Sequence, residues 1–175
     1  MKRVVLALGS NEGDRAGFLE KSCELIGCRV GKVLRCSRVF ETEAWGFVAP
    51  PFLNQAIIVE TELSPEELLV VTKEIEKELG RTCKTGRTAE GKPLYHSRTI
   101  DIDILLYEGV TCKTELLTLP HPQVSNREFV LLPLSDLFGD TIVPPFTQSF
   151  QQMLAKLKTE NGKLKTDNLN VESKM

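Results

Sequence analysis

Arg98-Thr99-Ile100-Asp101-Ile102-Asp103-Ile104-Leu105-Leu106-Tyr107 alternates apolar and polar residues from Ile100 to Ile104, the period of a β-strand with one buried face. As an unbroken strand it puts Ile100, Ile102, Ile104 and Leu106 on one face. Thr99, Asp101, Asp103, Leu105 and Tyr107 fall on the other. Aspartate is depleted in strands, so two of them in a β-branched run call for a reason. Residues two apart on a strand lie roughly 6.5–7 Å apart and point the same way. Their carboxylates are able to converge on one divalent cation or a close pair, and oxygen ligands suit magnesium. The plainer alternative is that both acids face water on a sheet surface.

Upstream, residues 81–97 form a long connection without periodicity, a length usual for functional or disordered loops. From Arg81 to Arg98 the bases are Arg81, Lys84, Arg87, Lys92 and Arg98, against the single acid Glu90. A cationic loop that ends three residues before paired aspartates suggests a polyphosphate clamp, with arginines forking onto phosphate oxygens. An ordinary solvated basic loop is the other reading. Further upstream, Lys2–Leu8 reads as a buried strand, and Asp14 as the N-cap of a helix with Phe18, Leu19, Cys23 and Ile26 on one stripe, ending near Gly27. Lys32–Thr42 and Phe52–Thr61 read as strands. Ser64-Pro65-Glu66-Glu67 has Ser at the N-cap, Pro at N1 and Glu at N3, opening a helix that buries Leu68, Thr72, Ile75 and Leu79 and stops at Gly80. Downstream, Leu117–Asn126 is expected to be extended, Asn126–Leu137 and Ser149–Leu157 helical.

Strand, helix, strand, strand, helix, strand is the order of a ferredoxin-like βαββαβ sandwich, an α+β fold whose antiparallel sheet carries its helices on one face. The expected domain is 1–157, followed by a loose polar tail over 158–175.

The composition excludes several classes. A chain of 175 residues, 41% hydrophobic and 26% charged, has the makings of one soluble globular domain. Its net charge of −2 gives no general attraction to nucleic acid or acidic membranes. No apolar run is long enough to span a bilayer. The five cysteines are odd in number and form no C-x-x-C pair, which argues against a disulfide framework or structural zinc and fits a reducing cytoplasm. Gly86–Lys92 imitates a phosphate-binding P-loop, but Pro93 stands where the magnesium-binding Ser or Thr belongs.

Several segments together resemble the 6-hydroxymethyl-7,8-dihydropterin pyrophosphokinase family of folate biosynthesis. They are Leu8-Gly9-Ser10-Asn11, Glu41–Gly46, Phe52-Leu53-Asn54-Gln55-Ala56, Gly80-Arg81, the Arg98–Ile104 run, Leu119-Pro120-His121-Pro122 and Asn126-Arg127-Glu128-Phe129. The departures are a longer 81–98 loop, Tyr95 in place of Trp, Cys83 in place of Arg, Ala44 in place of Pro and Leu116 in place of a base.

The resemblance implies transfer of pyrophosphate from ATP to the pterin hydroxymethyl group, with release of AMP. It implies that Asp101 and Asp103 bind two magnesium ions and that Arg81 and Arg98 contact the polyphosphate. Tyr95, His121 and Arg127 would surround ATP, and Thr42, Trp45, Phe52, Asn54 and Phe129 would form the pterin pocket. The partners implied are two small molecules, with no nucleic acid and no membrane, and a monomeric chain. Two rivals stand beside this reading. A magnesium-dependent nucleotidyltransferase also uses Gly-Ser and D-x-D, although there the two motifs lie close in sequence. An RNA-binding module on a similar sheet is disfavoured by the slight acidity and by the lack of paired aromatics on a central strand.

Overall fold

The computed structural model describes residues 1–44, 48–81, 86–87, 89, 93–94 and 97–172. In chain order the elements begin with β1 (Lys2–Ser10), α1 (Arg15–Arg29), β2 (Gly31–Cys36), β3 (Phe40–Thr42), β4 (Phe52–Thr61) and α2 (Pro65–Glu78). Then come β5 (Gly86–Arg87), β6 (Pro93–Leu94), β7 (Asp101–Tyr107), β8 (Cys112–Lys113), β9 (Thr118–Leu119), α3 (Glu128–Phe138) and α4 (Phe150–Glu172). The main sheet runs β2-β4-β1-β7, with β3 also on β4. Every pairing in it is antiparallel.

The local signals explain the helix starts. The Asp14 carboxylate accepts the Gly17 N–H at 3.0 Å. Ser64 and Glu67 form a reciprocal capping box: the Ser64 N–H donates to Glu67 Oε2 at 2.7 Å and the Glu67 N–H to Ser64 Oγ at 3.3 Å. Gly80 follows α2 with φ +89°, a left-handed conformation that ends the helix at little cost only for glycine. Both helices lie on one face of the sheet. There Leu19, Ile26, Leu68 and Ile75 pack against Val4, Leu6, Leu8, Ile57, Val59, Ile102 and Ile104.

Helices cover part of the second face too, against the expectation of a single covered face. Val130, Leu131, Leu134 and Leu137 of α3 and Phe150 and Met153 of α4 bury against Val5, Ala56, Leu105 and Leu106. The cause lies in β7. Val5 pairs with Leu106 but Leu6 with Ile104, so Leu105 is an extra residue, a β-bulge. Beyond it the alternation inverts. Leu105 and Leu106 join the second face, and Tyr107 turns to the first, where its hydroxyl donates to the Leu63 carbonyl at 2.6 Å. The second face is therefore apolar at one end, where α3 and α4 sit, and polar at the other, where Asp101 and Asp103 project.

Three boundaries also differ. The expected strand over 32–42 is split at Ser37, whose N–H and Oγ both bond to the Ala56 backbone, at 2.8 and 3.0 Å. α3 starts at Glu128 rather than at an Asn126 cap, and its N-cap, Arg127, makes no side-chain capping bond. The last helix runs on to Glu172, so the polar segment after 157 has helical backbone.

Candidate active site

Two small residues of the central strand open a cavity at the polar end of the second face. Gly9 lies between Asn54 of β4 and Asp101 of β7, and Ala7 between Ala56 and Asp103. A Cβ at Gly9 would stand 3.5 Å from Asn54 Oδ1 and 3.6 Å from Phe52 Cδ1, pointing into the space these side chains enclose. Thr42, Phe52, Asn54, Arg98, Asp101, Asp103, Arg127 and Phe129 all line this cavity, which brings most of the expected site together. β3 supplies Thr42, and the start of α3 supplies Phe129 with the Arg127 guanidinium 5.6 Å from its ring centre.

One end of the cavity is ionic. Both Asp101 oxygens are held by arginines, Oδ1 by Arg81 Nη1 at 2.7 Å and Oδ2 by Arg98 Nη1 at 2.9 Å. Burial pushes the Asp101 carboxyl up, but Arg98 and Arg81 outweigh it and hold the group below its ordinary value. Asp103 has no such partner among the described residues. Burial, reinforced by the Asp101 charge, pushes it up to about 7. A carboxylate kept beside another without a donor of its own is a place for a cation. Each Asp101 oxygen keeps a further lone pair beyond its arginine. Among the described residues no group of three or more His, Cys, Asp or Glu side chains is arranged to hold a metal ion by itself. Two carboxylates fit magnesium, which takes one or two from protein and the rest of its shell from water and substrate phosphates.

The other end is partly apolar, with Phe52 and Phe129 beside Thr42 and Asn54. Asn54 is 6% exposed, and its Nδ2 donates to Thr42 Oγ1 at 2.8 Å, leaving Oδ1 without a donor among the described residues. Asn11 ties the two ends together. Its Oδ1 accepts the Arg98 N–H at 2.8 Å, and its Nδ2 donates to Ser97 Oγ at 3.3 Å and to the Pro50 carbonyl at 3.2 Å. Arg15 adds a second tie, donating to the Pro51 carbonyl at 2.7 Å and pairing with Glu41 at 2.9 Å.

A family model described as 7,8-dihydro-6-hydroxymethylpterin-pyrophosphokinase (HPPK) matches residues 5–139 of the chain. The chain belongs to the HPPK family. It is 47% identical over 139 residues to the 2-amino-4-hydroxy-6-hydroxymethyldihydropteridine pyrophosphokinase of Porphyromonas gingivalis, covering 78% of this chain and 91% of that one. The Aquifex aeolicus protein of the same name is 36% identical over 162 residues, 92% of this chain and 93% of that one. Among solved structures, a triple mutant of Plasmodium falciparum HPPK-DHPS superposes with TM-score 0.70 at 18% identity, a likeness of fold. That match covers 89% of this chain but 43% of the Plasmodium chain, so this chain spans less than half of it.

Within this HPPK chain, the remaining expected residues are spread more widely. His121 lines a second depression, with Lys73, that shares Asp103 with the cavity. Its Nδ1 accepts the Gln123 N–H at 3.2 Å, and burial, followed by the Arg127 charge, holds it below its ordinary pKa. Trp45 and Tyr95 lie outside the described residues. One buried charge at the site was not expected. Glu76 of α2, 2% exposed, reaches Arg81 at 2.6 Å and accepts the Ile102 N–H at 2.7 Å. Its signal was present in the sequence: Leu68, Thr72 and Glu76 are spaced i, i+4, i+8 on the buried stripe.

Proposed function

We propose that this chain transfers pyrophosphate from ATP to the hydroxymethyl group of 6-hydroxymethyl-7,8-dihydropterin, releasing AMP, as a step of folate biosynthesis. One observation carries the reading: a single cavity joins paired aspartates flanked by two arginines to a recess built from Asn54, Thr42, Phe52 and Phe129. An acceptor hydroxyl held by the recess then faces a polyphosphate held at the acids. On this reading the hydroxyl oxygen attacks the β-phosphorus in line, the α,β-bridging bond breaks and AMP leaves.

The chain's own residues position and neutralise. Arg81 and Arg98 fork onto phosphate oxygens, and His121, Arg127 and Tyr95 surround the nucleotide. Asp101 and Asp103 would hold magnesium, two ions on this proposal, whose charge would offset the negative charge of the polyphosphate as AMP departs. Trp45, Phe52 and Phe129 stack on the pterin, while Asn54 Oδ1 accepts from its amino edge. We read the fold as a ferredoxin-like split βαβ arrangement with an added second-face layer, a reading that the order β2-β4-β1-β7 supports. We read 1–157 as the catalytic domain and 158–175 as an appendage, and the enzyme as a cytoplasmic monomer without nucleic-acid partners. No helix among the described residues is long and apolar enough to cross a membrane.

Incubation with ATP, magnesium and the reduced hydroxymethylpterin tests the reaction. AMP is the expected co-product. Pyrophosphate in its place would indicate nucleotidyl transfer and overturn the proposal. Asn54→Ala is expected to weaken pterin binding by about 1–3 kcal/mol, because a buried ring edge loses its acceptor. ATP binding should be unchanged. Separate calorimetric titrations check this, and a loss confined to the nucleotide would show that the two halves have been assigned the wrong way round.

A further inference from the structure

We infer that Glu76 is a positioning residue for the transfer, fixing the Arg81 guanidinium and the backbone between the two aspartates. The inference rests on the reaction proposed above. Its geometry is compact. Glu76 Oε1 accepts the Ile102 N–H at 2.7 Å and lies 2.6 Å from Arg81 Nη1, and Lys73 Nζ reaches its two oxygens at 3.0 and 3.1 Å. The same Nη1 of Arg81 is 2.7 Å from Asp101 Oδ1, so two acids grip one corner of the guanidinium.

Each contact has a consequence for the site. β7 is an edge strand, with β1 on one side only. Among the described residues its outward N–H groups have no strand to bond, and Ile102 carries one of them. Glu76 takes that N–H and so sets the backbone from which Asp101 and Asp103 project in the same direction. Gripping Arg81 by Nη1 leaves its other N–H groups unengaged among the described residues, a fork preset for phosphate oxygens. Arg81 follows α2 directly, its N–H donating to the Glu76 carbonyl at 3.0 Å. Residue 76 therefore holds it by backbone and by side chain.

Burial works against the charge of Glu76. Removing that charge leaves no cation buried and unpaired, because Arg81 keeps its contact with Asp101 and Lys73 is half exposed to water. Glu76→Gln keeps the volume and an oxygen for the Ile102 N–H, and removes only the charge that grips Arg81 and Lys73. The expected result is a thermal midpoint within a few degrees of the parent, unchanged pterin affinity, and kcat lowered about 10- to 100-fold with a smaller change in KM for ATP. Arg81→Ala and the double variant complete a cycle, read both as AMP formation and as binding of a non-hydrolysable ATP analogue. Because Glu76 acts through Arg81, the double variant should be no worse than Arg81→Ala alone. Glu76→Gln with kcat within twofold of the parent, or losses that multiply in the double variant, would overturn the inference. Parent protein that forms no AMP would instead refute the proposed reaction, and the analogue-binding cycle would still decide whether Glu76 works through Arg81.

Discussion

Asp103→Asn is expected to abolish turnover and, in the same protein, to raise the stability of the ligand-free fold at alkaline pH. The two effects share one cause. Burial and the Asp101 charge push the Asp103 carboxyl up to about 7, whereas in the unfolded chain it titrates near its ordinary value of 3.8. Between those values the folded protein keeps a proton that the unfolded chain has released, so stability is present at low pH and is lost as the pH rises through about 7. The neutral amide has no charge to bury. Its advantage over the parent should open as the pH rises from about 4, level off above about 7, and reach about 2 kcal/mol, since Asp103 keeps some contact with water. Turnover should fall by ~1,000-fold or more, because several kcal/mol of charge stabilisation go with the carboxylate, at ~1.4 kcal/mol per tenfold. Denaturant titrations from pH 5 to 8 and AMP formation at saturating magnesium measure the two arms. Near-normal turnover would overturn the proposal that Asp103 holds a cation, and a stability gap that does not change with pH would mean its carboxyl is not held as described.

This double behaviour follows from features of unequal visibility in the sequence. The acid pair was legible because aspartates at period two in an isoleucine run have few explanations. β4 was legible from end to end, and α2 declared itself through its capping box and buried stripe. The bulge at Leu105 was not, since one extra residue in an apolar run leaves every side chain equally suited to burial. It decides which face receives Leu105 and Leu106, and so where α3 and α4 pack. Glu76 was hidden by its type: a helical glutamate is read as solvent-facing unless its spacing from Leu68 and Thr72 is weighed. That Arg81 and Arg98 both pair with Asp101 is a choice of partner made in three dimensions. Local sequence shows only that cations and acids are near one another. The roles of Trp45 and Tyr95 rest on family resemblance alone.

Phe150→Ala should cost about 3–5 kcal/mol of stability, whereas removing everything after Leu157 should cost less than about 1 kcal/mol. Phe150 is 1% exposed at the start of α4, with the rings of Phe138 and Phe146 each centred 5.5 Å away. It fills the second-face core together with Val5, Leu105, Leu131 and Leu134. Truncating it opens a cavity among residues fixed by three other elements and forfeits two tilted ring contacts, a site with little freedom to collapse. For a domain of this size the midpoint should drop by roughly 10–15 °C. Beyond Leu157 the described contacts are of another kind. Lys158 pairs with Glu128 at 3.6 Å and Lys156 with Glu160 at 4.0 Å, all four side chains being about half exposed or more. Exposed pairs of this sort contribute a few tenths of a kcal/mol. Met153, Leu154 and Leu157, which pack against the core, are kept in the shortened chain. Chemical denaturation of the two variants beside the parent separates the cases, and AMP formation well below the unfolding range should be retained in both, since neither change touches the cavity of Asp101 and Asn54. A truncated chain as unstable as Phe150→Ala would move the end of the domain past residue 157 and make the rest of α4 part of the core.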